Sequence, residues 1–303
     1  MQTRILGRTG EEVTRMSYGA MELRGRRIWN GRPVSNRQAE MILNAVLDSG
    51  INLIDTSYDY GPSEEAIGMF LASRRHEFLL ATKCGCTVVY RGAHDDTPHV
   101  WTKENLTHNL ETSLKRLKTD YIDVWQLHNP SVEDVENNNL IDVMDKARTE
   151  GKIRWLGIST TLPEVETFLQ WNCFDVFQVP YSAFQMEHHD VITRIAQSGA
   201  GVMIRGALAQ GQPGVSYRGR RERWMPWFKA ALDELRSPHE TPTQFLLRFA
   251  LSHPDVHTAV VGTLNPDHLA EDLQAAEERP LFPETYRETK KRLAEVAHGV
   301  TRV

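Results

Sequence analysis

The sequence predicts an α/β fold, a closed (β/α)8 or TIM barrel, and three observations carry that expectation. Short apolar runs alternate with longer amphipathic stretches eight times along the chain. Each run is a few residues long and bounded by Gly or polar residues, as strands of a parallel sheet buried on both faces read. The 303 residues suit one barrel of about 250 residues with additions, a single domain over 1–303.

Arg4–Gly10 followed by Glu12-Val13-Thr14 reads as a hairpin with a Gly turn, ahead of a first strand near Met16–Met21. Ser35-Asn36-Arg37-Gln38 is a capping box that opens a helix with Met41, Ile42, Ala45 and Val46 on one face. Gly50 ends that helix and the second strand runs Ile51–Ile54. Ser63 starts a helix carrying Ile67, Phe70 and Leu71, and the third strand is Phe78–Ala81. Thr102 caps an amphipathic helix with Leu106, Leu110, Leu114 and Leu117, and the fourth strand is Tyr121–Leu127. A helix over Leu140–Thr149 ends at Gly151 and leads to strand five, Ile153–Ile158. Pro163 starts the next helix, Phe174–Val179 is strand six, and a helix over Glu187–Gln197 precedes strand seven, Val202–Ile204. Helices over Trp227–Leu235 and Thr241–Leu251 follow, then strand eight at Val256–Val261. Pro266 opens its helix, and a last helix covers Glu284–Ala297. The barrel therefore carries an N-terminal β-hairpin and additional C-terminal helices.

The net charge of -5 gives no general pull toward nucleic acid or an anionic membrane. No apolar stretch is long enough to span a bilayer, and Met1–Arg8 lacks the apolar core of a signal peptide, so a cytoplasmic protein is expected. Three cysteines argue against a disulfide framework. Cys84 and Cys86 could chelate a metal only with help from elsewhere, and they read as small residues filling a strand end, with no metal site expected. His188-His189 reads as surface. No interface signature stands out, which suits a monomer or a simple homo-oligomer.

Chemistry concentrates in Asp55–Gly61, Ala81-Thr82-Lys83 and Trp125-Gln126-Leu127-His128. An Asp, a Lys and a His fall just past the ends of three successive strands, where barrel enzymes place their reacting groups. Tyr60 brings a phenol to the same rim. This set suits carbonyl reduction. A carbonyl accepting hydride becomes an alkoxide and needs a proton donor. A phenol ordinarily titrates near pH 10, and a nearby ammonium such as Lys83 would lower that value. Asp55 would hold the ammonium, and His128 would hydrogen-bond and orient the carbonyl.

The chain resembles the aldo-keto reductases over essentially its full length. The resemblance rests on Asn52–Gly61, Lys83, Gln126-Leu127-His128 and the lack of a Gly-rich dinucleotide fingerprint. It implies a barrel that binds a nicotinamide cofactor, with Tyr60 as proton donor, Lys83 and Asp55 tuning it, and His128 orienting the carbonyl. Gly157-Ile158-Ser159-Thr160 is similar to the family's Gly-x-Ser-Asn, with Thr160 in place of Asn, and Gln178 completes the amide clamp. Arg205 stands where the family places a stacking ring, and it either stacks or meets the phosphates. The resemblance also assigns Gly19 to the cofactor. It makes Gly206–Arg223, with Gly206, Leu208 and Gly211, the belt over the pyrophosphate. Gly262, Thr263, Asn265, His268, Glu271 and Asp272 then form the adenosine-phosphate site. Gly262 and His268 replace the cations that grip a 2′-phosphate. NADP(H) is the implied cofactor and NAD(H) the alternative.

Met21, Tyr58, Tyr90, Trp101, Asn129 and Trp224, with Glu22, Trp29 and His94, are candidate walls of a small-molecule pocket, and Gly85–Trp101 reads as a lid. The expected substrate is a carbonyl or alcohol of modest size. A cofactor-binding regulatory subunit resembling potassium-channel beta subunits is the alternative from another class. A barrel hydrolase or metal enzyme would need a carboxylate pair, such as Asp55 with Asp59, or metal ligands at the strand ends.

Overall fold

The computed structural model of the chain describes residues 1–209 and 222–299. Eight parallel strands close the barrel: β1 (Met16–Gly19), β2 (Leu53–Asp55), β3 (Leu79–Cys84), β4 (Ile122–His128), β5 (Ile153–Ser159), β6 (Val176–Pro180), β7 (Gly201–Arg205) and β8 (Thr258–Val261). Each pairs with its neighbours in chain order, and β8 closes on β1. The surrounding helices are α1 (Asn36–Asp48), α2 (Ser63–Leu71), α3 (Lys103–Leu117), α4 (Val132–Asn137), α5 (Leu140–Thr149), α6 (Glu164–Trp171) and α7 (His189–Gln197). They continue with α8 (Met225–Lys229), α9 (Pro242–Leu251), α10 (Pro266–Glu277) and α11 (Pro283–Ala297).

The periodic apolar positions explain where the core lies. α1 buries Ala39, Ile42, Leu43, Val46 and Leu47, and α3 buries Leu106, Leu110, Leu114 and Leu117 against the outside of the sheet. A smaller cluster of Leu53, Ala81, Val124, Val176 and Met203 joins Leu6 and Val13 of the hairpin. That hairpin pairs Thr3–Ile5 with Glu12–Thr14 and plugs the amino-terminal end of the barrel. Gly7, at φ +52°, lies so close to Gly201 that a Cβ would strike its amide.

Several expected boundaries move. The first strand stops at Gly19, and Ala20–Arg24 turns as a short 3-10 helix that carries Met21 out of the sheet. Lys83 and His128 lie within the last residues of β3 and β4 and not beyond them. Only half of the box at Ser35 forms, its hydroxyl accepting from the Gln38 amide, whereas full boxes cap α4 at Ser131 and α9 at Thr241. The helix expected over Trp227–Leu235 breaks into α8 and a 3-10 turn at Leu232–Glu234. Ala231 sits at φ +47° between them, and its carbonyl accepts from the Glu234 amide at 3.2 Å and from Arg292 at 3.0 Å.

Strand register assembles the rim. Gly19 pairs with Asp55, Lys83 with Gln126, His128 with Ser159, and Ser159 with Gln178. Residues from six consecutive strands thereby converge at the carboxyl-terminal mouth.

Candidate active site

Asp55 is the hub of the buried cluster. One carboxylate oxygen accepts from Lys83 Nζ at 2.6 Å, and the other accepts from Gln126 Nε2 and Gln178 Nε2, each at 2.9 Å. Lys83 also donates to the Thr56 carbonyl at 2.8 Å. The ion pair is nearly inaccessible, with side chains 1% and 5% exposed, so it survives in a low dielectric only through these added bonds. Strand ends hold Asp55, Lys83, Gln126 and Gln178 in this arrangement.

Tyr60 lies over this pair. Lys83 Nζ sits 5.2 Å from the centre of its ring, and the His128 ring meets it edge-on at 6.2 Å. Trp29 covers its other side, edge-on at 5.9 Å. The phenol does not behave as the sequence suggests. Burial raises its pKa well above the ordinary value, the Asp55 and Asp59 charges raise it further, and Arg205 is the cation that opposes them most. Tyr60 is therefore held protonated.

His128 faces a second acid. Its Nδ1 is 3.5 Å from Asp59 Oδ1, 3.4 Å from Ser57 Oγ and 3.6 Å from Cys86 Sγ. Ser57 also bonds Asp59 through a very short contact. Burial on its own would raise the Asp59 carboxyl, but hydrogen bonds from His128 and Ser57 outweigh it and hold the group at about 2. Asp55 and Asp59 thus do not form a catalytic carboxylate pair, because each takes its own cationic or imidazole partner.

The remaining predicted residues separate into those at the mouth and those away from it. A cavity of about 510 Å³ lies beside His128, lined by His99, Trp101, Asn129, Asp134 and Thr160 among others. Trp101 seats itself against Gly85, at φ +104°, where a Cβ would collide with the indole. Asn129, at φ +58°, accepts from Arg205 at 3.4 Å, the guanidinium's one bond among the described residues. Burial lowers the Arg205 pKa, with Tyr60 and Asp55 opposing. Tyr58 instead packs under Arg116, 4.8 Å from its ring centre, and against His108, both on α3. Tyr90 is 73% exposed on a hairpin of Val89–Arg91 and His94–Asp96, with Arg27 over its ring, and Trp224 is buried between Phe184 and Trp227. Met21 is exposed. The hairpin lies inside the segment read as a lid, pinned where Arg27 bonds Asp95.

The groups assigned to a cofactor fit one. Buried Ser159 donates to Gln178 Oε1 at 3.3 Å, so a hydroxyl and an amide stand together at the ends of β5 and β6, the donor set of a carboxamide. Thr160 is buried beside them. Gly19 and Gly262 face each other across the β1–β8 seam, so closely that a Cβ on Gly262 would meet the Gly19 carbonyl. Thr263 Oγ1 accepts from the Asn265 amide at 3.1 Å, and Asn265 caps α10 by accepting from Asp267 at 3.0 Å. His268 and Glu271 are exposed on α10. Asp272 is buried there, its carboxyl pushed up to about 7 by burial and by Glu271. Gly206 turns at φ +78° and Leu208 packs on the core, while Gly211 lies outside the described residues.

Sequence reasoning passed over Ser57, Cys86 and His99 as site residues. The Ser57-x-Asp59 spacing inside the quoted segment was the available signal for the first; the other two meet only through folding.

A closed eight-stranded barrel with a buried polar cluster at its carboxyl-terminal mouth is the architecture of a barrel enzyme. A model of the aldo/keto reductase family matches residues 15–293. YqkF of Bacillus subtilis, described as an uncharacterized oxidoreductase, is 27% identical over 303 residues, 94% of each chain. The NADH-specific methylglyoxal reductase of Escherichia coli is 27% identical over 222 residues, 68% of this chain and 67% of its own. Among solved structures, the holo form of aldo-keto reductase AKR11C1 from Bacillus halodurans superposes with a TM-score of 0.81 and 26% identity, covering 96% of each chain. The chain belongs to the aldo/keto reductase family, and it is an NAD(P)H-dependent oxidoreductase.

Proposed function

We propose that this chain reduces a small aldehyde or ketone, or oxidises the corresponding alcohol, with Tyr60 as proton donor. The observation that carries this reading is a buried phenol lying over the Lys83–Asp55 pair with His128 at its edge. The nicotinamide cofactor, when bound, supplies or takes the hydride. As the substrate oxygen gains charge, Tyr60 gives it a proton. The phenolate left behind faces Lys83 and Arg205, whose positive charges are already in place and need no reorganisation. His128 donates toward the same oxygen, its ring steadied by Asp59 and Ser57.

Ser159, Thr160 and Gln178 hold the carboxamide, Arg205 and the loop after it the phosphates, and Asp272 with Glu271 the adenine. NADP(H) is the favoured cofactor, its 2′-phosphate received by Thr263, Asn265, His268 and the amides opening α10. NAD(H) is the alternative, since Gly262 supplies no cation and the NADH-specific relative shows the family accommodates it. Trp101 and Asn129 wall the substrate side. Three free thiols suit a reducing, cytoplasmic setting, and no helix among the described residues is long and apolar enough to cross a membrane. The working form is a monomer or simple homo-oligomer acting on a small molecule, without nucleic acid.

Quenching of tryptophan fluorescence by NADPH and, separately, by NADH tests the cofactor assignment. Tighter NADPH binding supports it, tighter NADH binding reverses the preference, and binding of neither overturns the reductase reading. A carbonyl screen with the better cofactor then tests the reaction.

A further inference from the structure

We propose that Cys86, His99 and His128 form a binding site for Zn²⁺ or a similar transition-metal dication. The ligand atoms of the three side chains all lie within 4.8 Å of one another. Cys86 Sγ and His128 Nδ1 are 3.6 Å apart, close to the separation of about 3.6 Å that bonds of about 2.3 Å and 2.0–2.1 Å require at tetrahedral zinc.

The backbone builds this cluster. Cys86 and His99 are opposite one another in an isolated antiparallel bridge. Thr87 donates to Pro98 at 2.9 Å and Val100 donates to Gly85 at 2.7 Å, which makes them a non-hydrogen-bonded pair. Side chains are closest in that arrangement and stand on the same face. α3 anchors both limbs, since Asn109 accepts from Gly85 at 2.9 Å and Asn105 donates to Val100 at 2.8 Å. His128 enters from the end of β4, its ring edge-on to His99 at 6.1 Å. The site therefore joins a rigid barrel strand to a loop fixed at its base.

Charge favours a cation here. Asp59 lies 3.5 Å from His128 Nδ1, and its charge acts on the Cys86 thiol. Burial and this carboxylate keep Cys86 a thiol in the absence of an ion; a bound dication reverses that preference. On coordination the thiol proton leaves to solvent, and the thiolate with Asp59 balances the two positive charges. With Nδ1 coordinated, the imidazole proton resides on Nε2. His128 belongs also to the proposed reductase site, but the metal assignment is read without cofactor or substrate, so the two fail separately.

The test is Co²⁺ titration of the full-length, metal-stripped protein, followed by Zn²⁺ competition against a chromophoric chelator. One Co²⁺ per chain with a thiolate-to-cobalt charge-transfer band is expected, and Cys86→Ser removes the band. His99→Gln changes an exposed residue and spares the fold. It weakens Zn²⁺ binding by about tenfold or more. Absence of the band in the unmodified chain, or unchanged affinity in His99→Gln, overturns the site. Should Cys86→Ser misfold by circular dichroism, His99→Gln decides the matter.

Discussion

Asp59 and His128 face each other across 3.5 Å, and Asp59 stands one residue before Tyr60 in the same turn. The carboxylate thus ties the imidazole to the segment that carries the phenol. Asp59→Asn should keep the ring near its place, whereas Asp59→Leu should release it. We expect kcat to fall by up to about 10²-fold in the Leu variant and less in the Asn variant, with KM for the cofactor unchanged. Steady-state kinetics on both variants checks this; equal losses in kcat and cofactor affinity would point to a general structural effect instead.

Tyr60→Phe removes one hydroxyl and keeps the ring that Trp29 and His128 contact. Turnover should be abolished, a loss of at least about 10²–10⁴-fold, while NADPH quenching stays nearly as in the parent. Full activity in this variant would mean that another group gives the proton.

Lys83→Met probes the buried pair. The variant leaves the Asp55 carboxylate without its cation but with amide donors from Gln126 and Gln178. Breaking a buried pair typically costs about 3–5 kcal/mol, and these donors place the expected loss at the low end. Adding Asp55→Asn removes the stranded charge and should restore part of the stability. Urea unfolding of the parent and the two variants measures both terms; an unaltered midpoint in Lys83→Met would contradict the buried ion pair.

The barrel was legible because a strand buried on both faces leaves a short apolar run, and eight such runs survive in the sequence. The positions of Asp55, Lys83 and His128 near Tyr60 were legible for a related reason: strand ends are where the pattern turns polar. The upward shift of the Tyr60 pKa was not, since it comes first from burial of the phenol, which the loop position of Tyr60 does not show. Tyr58 illustrates a similar limit. Its position in the loop gave no sign that the ring turns toward Arg116 on α3. α4 was missed although Ser131 and Asp134 form a full capping box, because the helix is only six residues long and buries Val135 alone. The bridge between Cys86 and His99 closes a long excursion, and no local pattern announces it.

Asp272 gives a pH prediction of definite sign. Its folded-state value, raised from 3.8 to about 7, means the native chain holds a proton that the unfolded chain releases. Between these values the unfolded state binds fewer protons, so stability declines as pH rises and the loss is complete above about pH 7. The full shift corresponds to at most about 4 kcal/mol. Asp272→Asn cannot ionise, so it should raise Tm at about pH 8 and have little effect at about pH 4. Thermal unfolding of the two proteins across this range checks it, and an equal gain at both ends would assign the effect to packing and not to charge. Asn also donates and accepts, as a protonated carboxyl does, so under the proposed adenine contact the variant should bind the cofactor at least as well as the parent at neutral pH.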